Sequence, residues 1–343
     1  KEKMEQKQRN SLLLVDEIVE ISSEDENDSV LRKKQQERKC KTDSKRADML
    51  EEDLEKLSVG SKKVDEYKRV ASEYVKRTGG ERQNRFCEFD NAENSVLQWI
   101  HRGGGGSKAV ITQVKECGII LKREDMHRLR GTQWLNDEVS NSFICLLNSR
   151  NQVHIHNTYV FNTFFYTRLN VGKLKYDYDG VKRWTTRAKV DVTKLDYILI
   201  PVNHNNFHWV LSGISMKEKC IFYIDSMGHS KNSSEKGAAY DVMTKLKRWL
   251  SDEIVDKYGT HKKDEMEIEE WTFKVIKNIP KQTDGGSCGV FMLMFAECIE
   301  FFGKHNNFDF NAKHIPILRR RMALELLAQS LATFTQERNV VTP

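Results

Sequence analysis

A cysteine at the start of an apolar helix, a histidine opening one strand and an aspartate closing the next are residue types that together can do thiol chemistry. The stretch Gln282-Thr283-Asp284-Gly285-Gly286-Ser287-Cys288-Gly289 is a polar, glycine-rich turn that runs straight into the apolar segment Val290 to Phe302. A thiol at a helix N-terminus loses its proton more readily, because unpaired N–H groups and the helix dipole favour the thiolate. The flanking glycines leave room for a substrate backbone. Taken alone, the loop fits equally well a small buried cysteine in a tight turn. Phe207-His208-Trp209 opens a strand and Ile224-Asp225-Ser226 closes the following one. If these pair as a hairpin turning near Met216-Lys217, His208 falls directly opposite Asp225, and opposed residues lie about 5 Å apart. An aspartate on one imidazole nitrogen fixes the tautomer and frees the other nitrogen to take a thiol proton. The turn carries neither Gly nor Asn, so its register stays open. Gln282, six residues before the cysteine, is the amide that, with the Cys288 N–H, suits the oxyanion of a tetrahedral intermediate. Each residue has an ordinary structural reading. Together they point to a cysteine hydrolase of acyl groups.

The ordered set His208, Asp225, Gln282, Cys288, with Trp134-Leu135-Asn136-Asp137, Phe161-Asn162-Thr163-Phe164-Phe165-Tyr166, Arg183-Trp184 and His208-Trp209, resembles the SUMO-specific (sentrin-specific, Ulp-type) cysteine proteases. The likeness runs over residues 110 to 335 and includes the tail, where His314-Ile315-Pro316 leads into Arg319-Arg320-Arg321-Met322. It implies an α+β, papain-like fold with a central mixed sheet flanked by helices. By the same resemblance Cys288 is the nucleophile, His208 the general base, Asp225 its orienter and Gln282 the oxyanion donor. Trp134 and Trp209 would be lid and floor of a tunnel that only glycines can thread, and Asp137, Phe164, Arg183 and Trp184 would touch SUMO. The implied activity is cleavage after the C-terminal Gly-Gly of SUMO, on precursors and on lysine conjugates. One position departs: Ser287 stands where the family usually has an acid, with Asp284 three residues earlier. A catalytically weak SUMO-binding regulator and a protease for another ubiquitin-like modifier are the competing readings. No cofactor or metal is expected, since His154-x-His156 and His204-x-x-x-His208 lack partners at ligand spacing. SUMO and its conjugates are the expected partners, of a monomer acting in the nucleus or at the nuclear periphery, with the cytoplasm as the alternative.

These residues need elements to hold them. Strand-like runs are expected at Ile119 to Lys122, Thr158 to Phe165, Tyr197 to Val202, Trp209 to Ser215, Cys220 to Ile224 and Trp271 to Ile276. Helical ones are expected from Asn136 to Leu147, over Glu235 to Tyr258 and over Val290 to Phe302, with Asn136 as an N-cap. Strands and helices interleave, which is the α+β pattern. The chain has 343 residues, 31% of them charged, and a formal net charge of +6. Residues 1–100 hold 21 Lys+Arg against 23 Asp+Glu and five of the 32 aromatics; the rest holds 35 against 27. The core and the basic excess therefore belong to the C-terminal part, and 1–107 reads as a mostly disordered arm before a catalytic domain over 108–343. Within the arm, Ser61 to Arg77 has helical spacing, and Gly103-Gly104-Gly105-Gly106-Ser107 reads as a linker. Ile18, Val19 and Ile21, followed by Ser22-Ser23-Glu24-Asp25-Glu26, resemble a SUMO-interacting motif, which adds a strand to a partner's sheet edge; a plain hydrophobic patch is the alternative. The basic block 32–46 fits a nuclear-import signal, a weak nucleic-acid contact or a solvated charge block. Seven scattered cysteines without a C-x-x-C pair argue for a reducing compartment. No stretch is long enough for a membrane span, and the excess positive charge reads as steering toward an acidic protein rather than as a specific nucleic-acid site.

Overall fold

Alternation along three consecutive strands builds the centre of the molecule. The computed structural model describes residues 61–335 apart from 104, 151–155, 172–175 and 229–236. Strands β1 (Val110–Val114) and β2 (Ile119–Lys122) form a small antiparallel pair. The main sheet has the order β3 (Thr158–Val160), β4 (Tyr197–His204), β5 (His208–Ser215), β6 (Cys220–Ile224), β7 (Thr272–Val275). Its outer pairs are parallel and its inner pairs antiparallel. Leu199, Trp209, Leu211, Phe222 and Ile224 face one core; Ile198, Ile200, Val210, Ile221 and Tyr223 face the other. Period-two alternation with both faces apolar means that both faces are covered.

The helices are α1 (Ser61–Thr78), α2 (Asn91–Arg102), α3 (Arg123–Met126), α4 (Asp137–Arg150), α5 (Phe164–Leu169), α6 (Trp184–Ala188), α7 (Ala238–Tyr258), α8 (Thr260–Met266), α9 (Cys288–Phe302) and α10 (Ile315–Ala328). Helix α9 is buried on every side from Cys288 to Phe301, as a helix apolar all round must be. Together with α4, α10, α1 and α2 it builds the core on the first face; α7 and α5 cover the second. The expected strand Thr158 to Phe165 ends early. Asn162 Oδ1 accepts from Phe164 N at 3.0 Å, a local turn that diverts the chain into α5. The Asn136 cap forms, its Oδ1 accepting from Val139 N at 3.2 Å.

The N-terminal boundary differs from the expectation. Residues 61–102 are not an arm: the compact unit begins at Val59, and Val70, Ala71, Tyr74, Val96, Leu97 and Ile100 lie in the first core. Buried charge ties this segment down. Arg85 donates to Glu297 at 3.1 Å and also pairs with Asp309; Arg82 pairs with Asp309 at 2.7 Å. Glu297, fully buried in α9, also takes Arg150 at 3.0 Å and Arg321 at 2.5 Å. Burial alone would raise its pKa, but Arg321 and Arg150 hold it well below the usual carboxylate range. Charge-rich composition masked this packing, because paired charges are what make burial of such a segment tolerable. The glycine run 103–107 is a connection inside the unit. The candidate motif at Ile18, Val19 and Ile21, the basic block 32–46 and His154 lie outside the described residues. Among the described residues, no helix is long and apolar enough to cross a membrane.

Candidate active site

Three elements converge on Cys288. It is the first residue of α9, buried, and reached by a turn in which Gly286 passes so close to another loop that an added Cβ would lie 1.7 Å from the Thr132 carbonyl. His208 is the first residue of β5. It follows a tight turn in which Asn205 and Asn206 take left-handed φ of 53° and 62°, closed by Phe207 N donating to the His204 carbonyl at 3.0 Å. Asp225 follows the last residue of β6, and its Oδ1 accepts from His208 Nε2 at 2.6 Å and from Met227 N at 2.9 Å. The contact with His208 is as expected, but the register differs by two residues. Leu211 pairs with Ile224 and Ser215 with Cys220, because the connection takes four residues rather than two. That ladder sets Asp225 opposite Val210, not His208. A shift of two keeps every side chain on its face, so His208 becomes a diagonal neighbour still within reach.

The electrostatics follow from this line of groups. Burial disfavours charge on His208, but the hydrogen bonds to Asp225 and Cys288, with their charges, push its pKa up to about 9. Burial likewise resists ionisation of Cys288. The hydrogen bond from His208, the Trp209 N–H, the charge of His208 and the Gly289 N–H outweigh it, and the thiol pKa falls. With Nε2 on Asp225, Nδ1 is the nitrogen left for the thiol. Both shifts run toward a thiolate–imidazolium pair, the combination in which a thiol nucleophile has a proton donor beside it.

Residues 133–332, more than half of the chain, match the Ulp1 protease family, C-terminal catalytic domain. The chain belongs to this family of cysteine proteases. It is 31% identical over 239 residues to a putative ubiquitin-like-specific protease 1B of Arabidopsis thaliana, covering 68% of this chain and 64% of that protein. It is 33% identical over 214 residues to sentrin-specific protease 2 of Homo sapiens, covering 62% of this chain and 33% of the human one. The structure of the C-terminal Ulp1 protease domain in complex with Smt3, the yeast ortholog of SUMO, matches with a TM-score of 0.56 at 25% identity, over 71% of this chain and 97% of that one. The α+β architecture with its mixed five-stranded sheet is that family's catalytic fold.

Around Asp225, His208 and Cys288 the other sequence candidates have varied placements. Trp209 is buried beneath the site, and its ring would meet a Cβ on Gly289 at 3.3 Å. Trp134 is 45% exposed, its indole N–H donating to the Gly285 carbonyl at 2.8 Å. Phe207, 66% exposed, meets Trp134 edge-on at 6.1 Å. In the sequence Phe207 reads only as the start of a strand; its signal there is a large apolar residue beside an Asn-Asn pair. Asp137 heads α4 and accepts from the Thr163 hydroxyl at 2.7 Å, which joins α4 to the start of α5. Phe164 and Arg183 are exposed, whereas Trp184 is half-buried and packs edge-on against Phe165. Gln282 is held between loops: Ser226 Oγ donates to its Oε1 at 2.7 Å, and its Nε2 donates to the Asp284 carbonyl at 2.7 Å. One of its two amide N–H bonds is thus spent inside the loop. Among the described residues, Glu218, Cys220 and His305 are the group close enough to hold a metal ion. Lys274 already donates to Glu218 at 2.7 Å there, and His204 bonds the Tyr223 hydroxyl at 2.8 Å.

Proposed function

We propose that this chain is a SUMO protease that hydrolyses the bond after the C-terminal Gly-Gly of SUMO, maturing precursors and releasing SUMO from lysine conjugates. The observation that carries the reading is the Asp225–His208–Cys288 line at the N-terminus of α9, in a chain whose family match covers the catalytic domain. The Cys288 thiolate attacks the glycine carbonyl, and the oxyanion is met by the Cys288 N–H and the free amide N–H of Gln282. His208, held by Asp225, gives its proton to the leaving amine. The thioester that remains is opened by water activated by the same imidazole. The placement of Trp134 at the rim and Trp209 beneath the site suits a tail without side chains, and Asp137, Phe164, Arg183 and Trp184 are assigned to the SUMO body and tail. The chain covers less than two thirds of its relatives' length, so their substrates enter here as part of the proposal.

The test is a panel of ubiquitin-like modifiers, each carrying a thiol-reactive group at its C-terminal glycine, with a fluorogenic SUMO substrate alongside. Labelling of Cys288 by the SUMO probe and turnover of the substrate are expected, both lost in Cys288→Ala. Labelling by a different modifier alone, or SUMO binding without turnover, overturns the reading.

A further inference from the structure

Behind the nucleophile turn sits an arginine that the triad does not use. Arg319 on α10 is 1% exposed, yet no direct carboxylate partner for it occurs among the described residues. Its Nη1 donates to the Arg128 carbonyl at 2.9 Å, and its Nη2 donates to the Gly286 carbonyl at 3.1 Å and to Ser287 Oγ at 3.2 Å. These last two acceptors belong to the residues immediately before Cys288. The Ser287 hydroxyl in turn donates to Asp284 Oδ2 at 2.8 Å, while Asp284 Oδ1 accepts from Gly286 N at 2.7 Å. Ser287 is the N-cap residue of α9 but makes no side-chain bond to the helix. A buried cation without an adjacent anion is costly, and is tolerated where a nearby negative charge develops.

We propose that Arg319 is a positioning residue of this site: it clamps the Gly286–Ser287 turn and sets a positive charge behind the Cys288 sulfur, and Asp284 tempers that charge through the Ser287 hydroxyl. The inference rests on Cys288 being the nucleophile, but not on SUMO being the substrate. Beside the Trp209 and Gly289 N–H groups, four charged side chains then act on the sulfur. His208 on β5 and Arg319 on α10 favour the thiolate; Asp225 beyond β6 and Asp284 in the loop oppose it by charge. Burial lowers the Arg319 pKa to about 10, and the negative charges of Asp284 and Cys288 work against that fall.

Two variants separate charge from mere support. Arg319→Met removes the cation, so the pH midpoint for alkylation of Cys288 by iodoacetamide should rise by about one unit, the low end for loss of a nearby opposite charge. Asp284→Asn removes the tempering anion, so the midpoint should fall. A structural role alone moves both in the same direction or not at all. Arg319→Lys keeps the charge and should hold the midpoint near that of the unchanged chain while slowing turnover, since one ammonium cannot span both acceptors. Should Arg319→Met fail to fold, the sign of the Asp284→Asn shift decides by itself. An unchanged or raised midpoint in Asp284→Asn, or an unchanged midpoint in folded Arg319→Met, overturns the proposal. Alkylation needs no modifier substrate, so a failed SUMO assay and a failed midpoint shift are distinct outcomes.

Discussion

At the scale of single residues, the Asp225–His208–Cys288 line makes a signed statement about pH. His208 is held protonated up to about pH 9, chiefly by the hydrogen bonds that outweigh its burial, while the Cys288 thiol is shifted down. Activity should therefore describe a bell. It rises as Cys288 ionises, and it falls as pH passes about 9 and the leaving amine loses its acid. Steady-state kcat/KM against pH on the fluorogenic SUMO substrate checks this; an alkaline limb near neutrality would contradict the geometry. Asp225→Ala removes the strongest support of the charged ring. The alkaline limb should move to lower pH, and kcat/KM should fall by roughly 10²–10⁴-fold.

At the scale of elements, two close approaches do the positioning. The turn into α9 passes the Thr132 carbonyl with no space for a Cβ on Gly286, so Gly286→Ala must displace the turn or its neighbour. A displacement of about 1 Å at a nucleophile costs on the order of 10²-fold in rate. The expected result is a drop of that size in Cys288 labelling with the far-UV dichroism unchanged. The second is the docking of the 3₁₀ turn Arg82–Phe86 on α9 and the segment that follows it through Arg82, Arg85, Asp309 and Glu297. Arg85→Met leaves part of a buried carboxylate cluster short of its cation, a loss of about 3–5 kcal/mol by the cost of breaking a buried pair. Urea denaturation measures it. By the same reasoning, a chain begun at residue 108 should not fold to an active state, whereas one begun at 59 should. The α1 and α2 helices were only half legible: α1 shows in its spacing, but the buried cations of 82–86 look in the sequence like any solvated charge.

At the scale of the whole molecule, the excess of positive charge outside the first hundred residues bears on association. Arg183 and Lys189 are exposed, but Arg168 is already paired with Asp177 at 3.1 Å and Lys182 with Asp179 at 2.9 Å, so the steering field is smaller than a residue count implies. Added salt should lower kcat/KM for SUMO through a rising KM with little change in kcat. A salt-independent kcat/KM would remove the steering argument. The sequence by itself determined the residue types and order of His208, Asp225 and Cys288, the apolar helix behind Cys288 and the alternation of the central strands. All of these follow from local periodicity and from chemistry that only a few side chains can do. The tertiary structure alone decided the register that makes Asp225 a diagonal partner, the use of Gln282 inside its own loop, and the fates of three consecutive arginines. Arg319 turns to the nucleophile turn, Arg320 lies over the Phe89 ring at 4.2 Å, and Arg321 is buried on Glu297. Successive residues on a helix point about 100° apart, and which direction meets which neighbour depends on contacts made far along the chain.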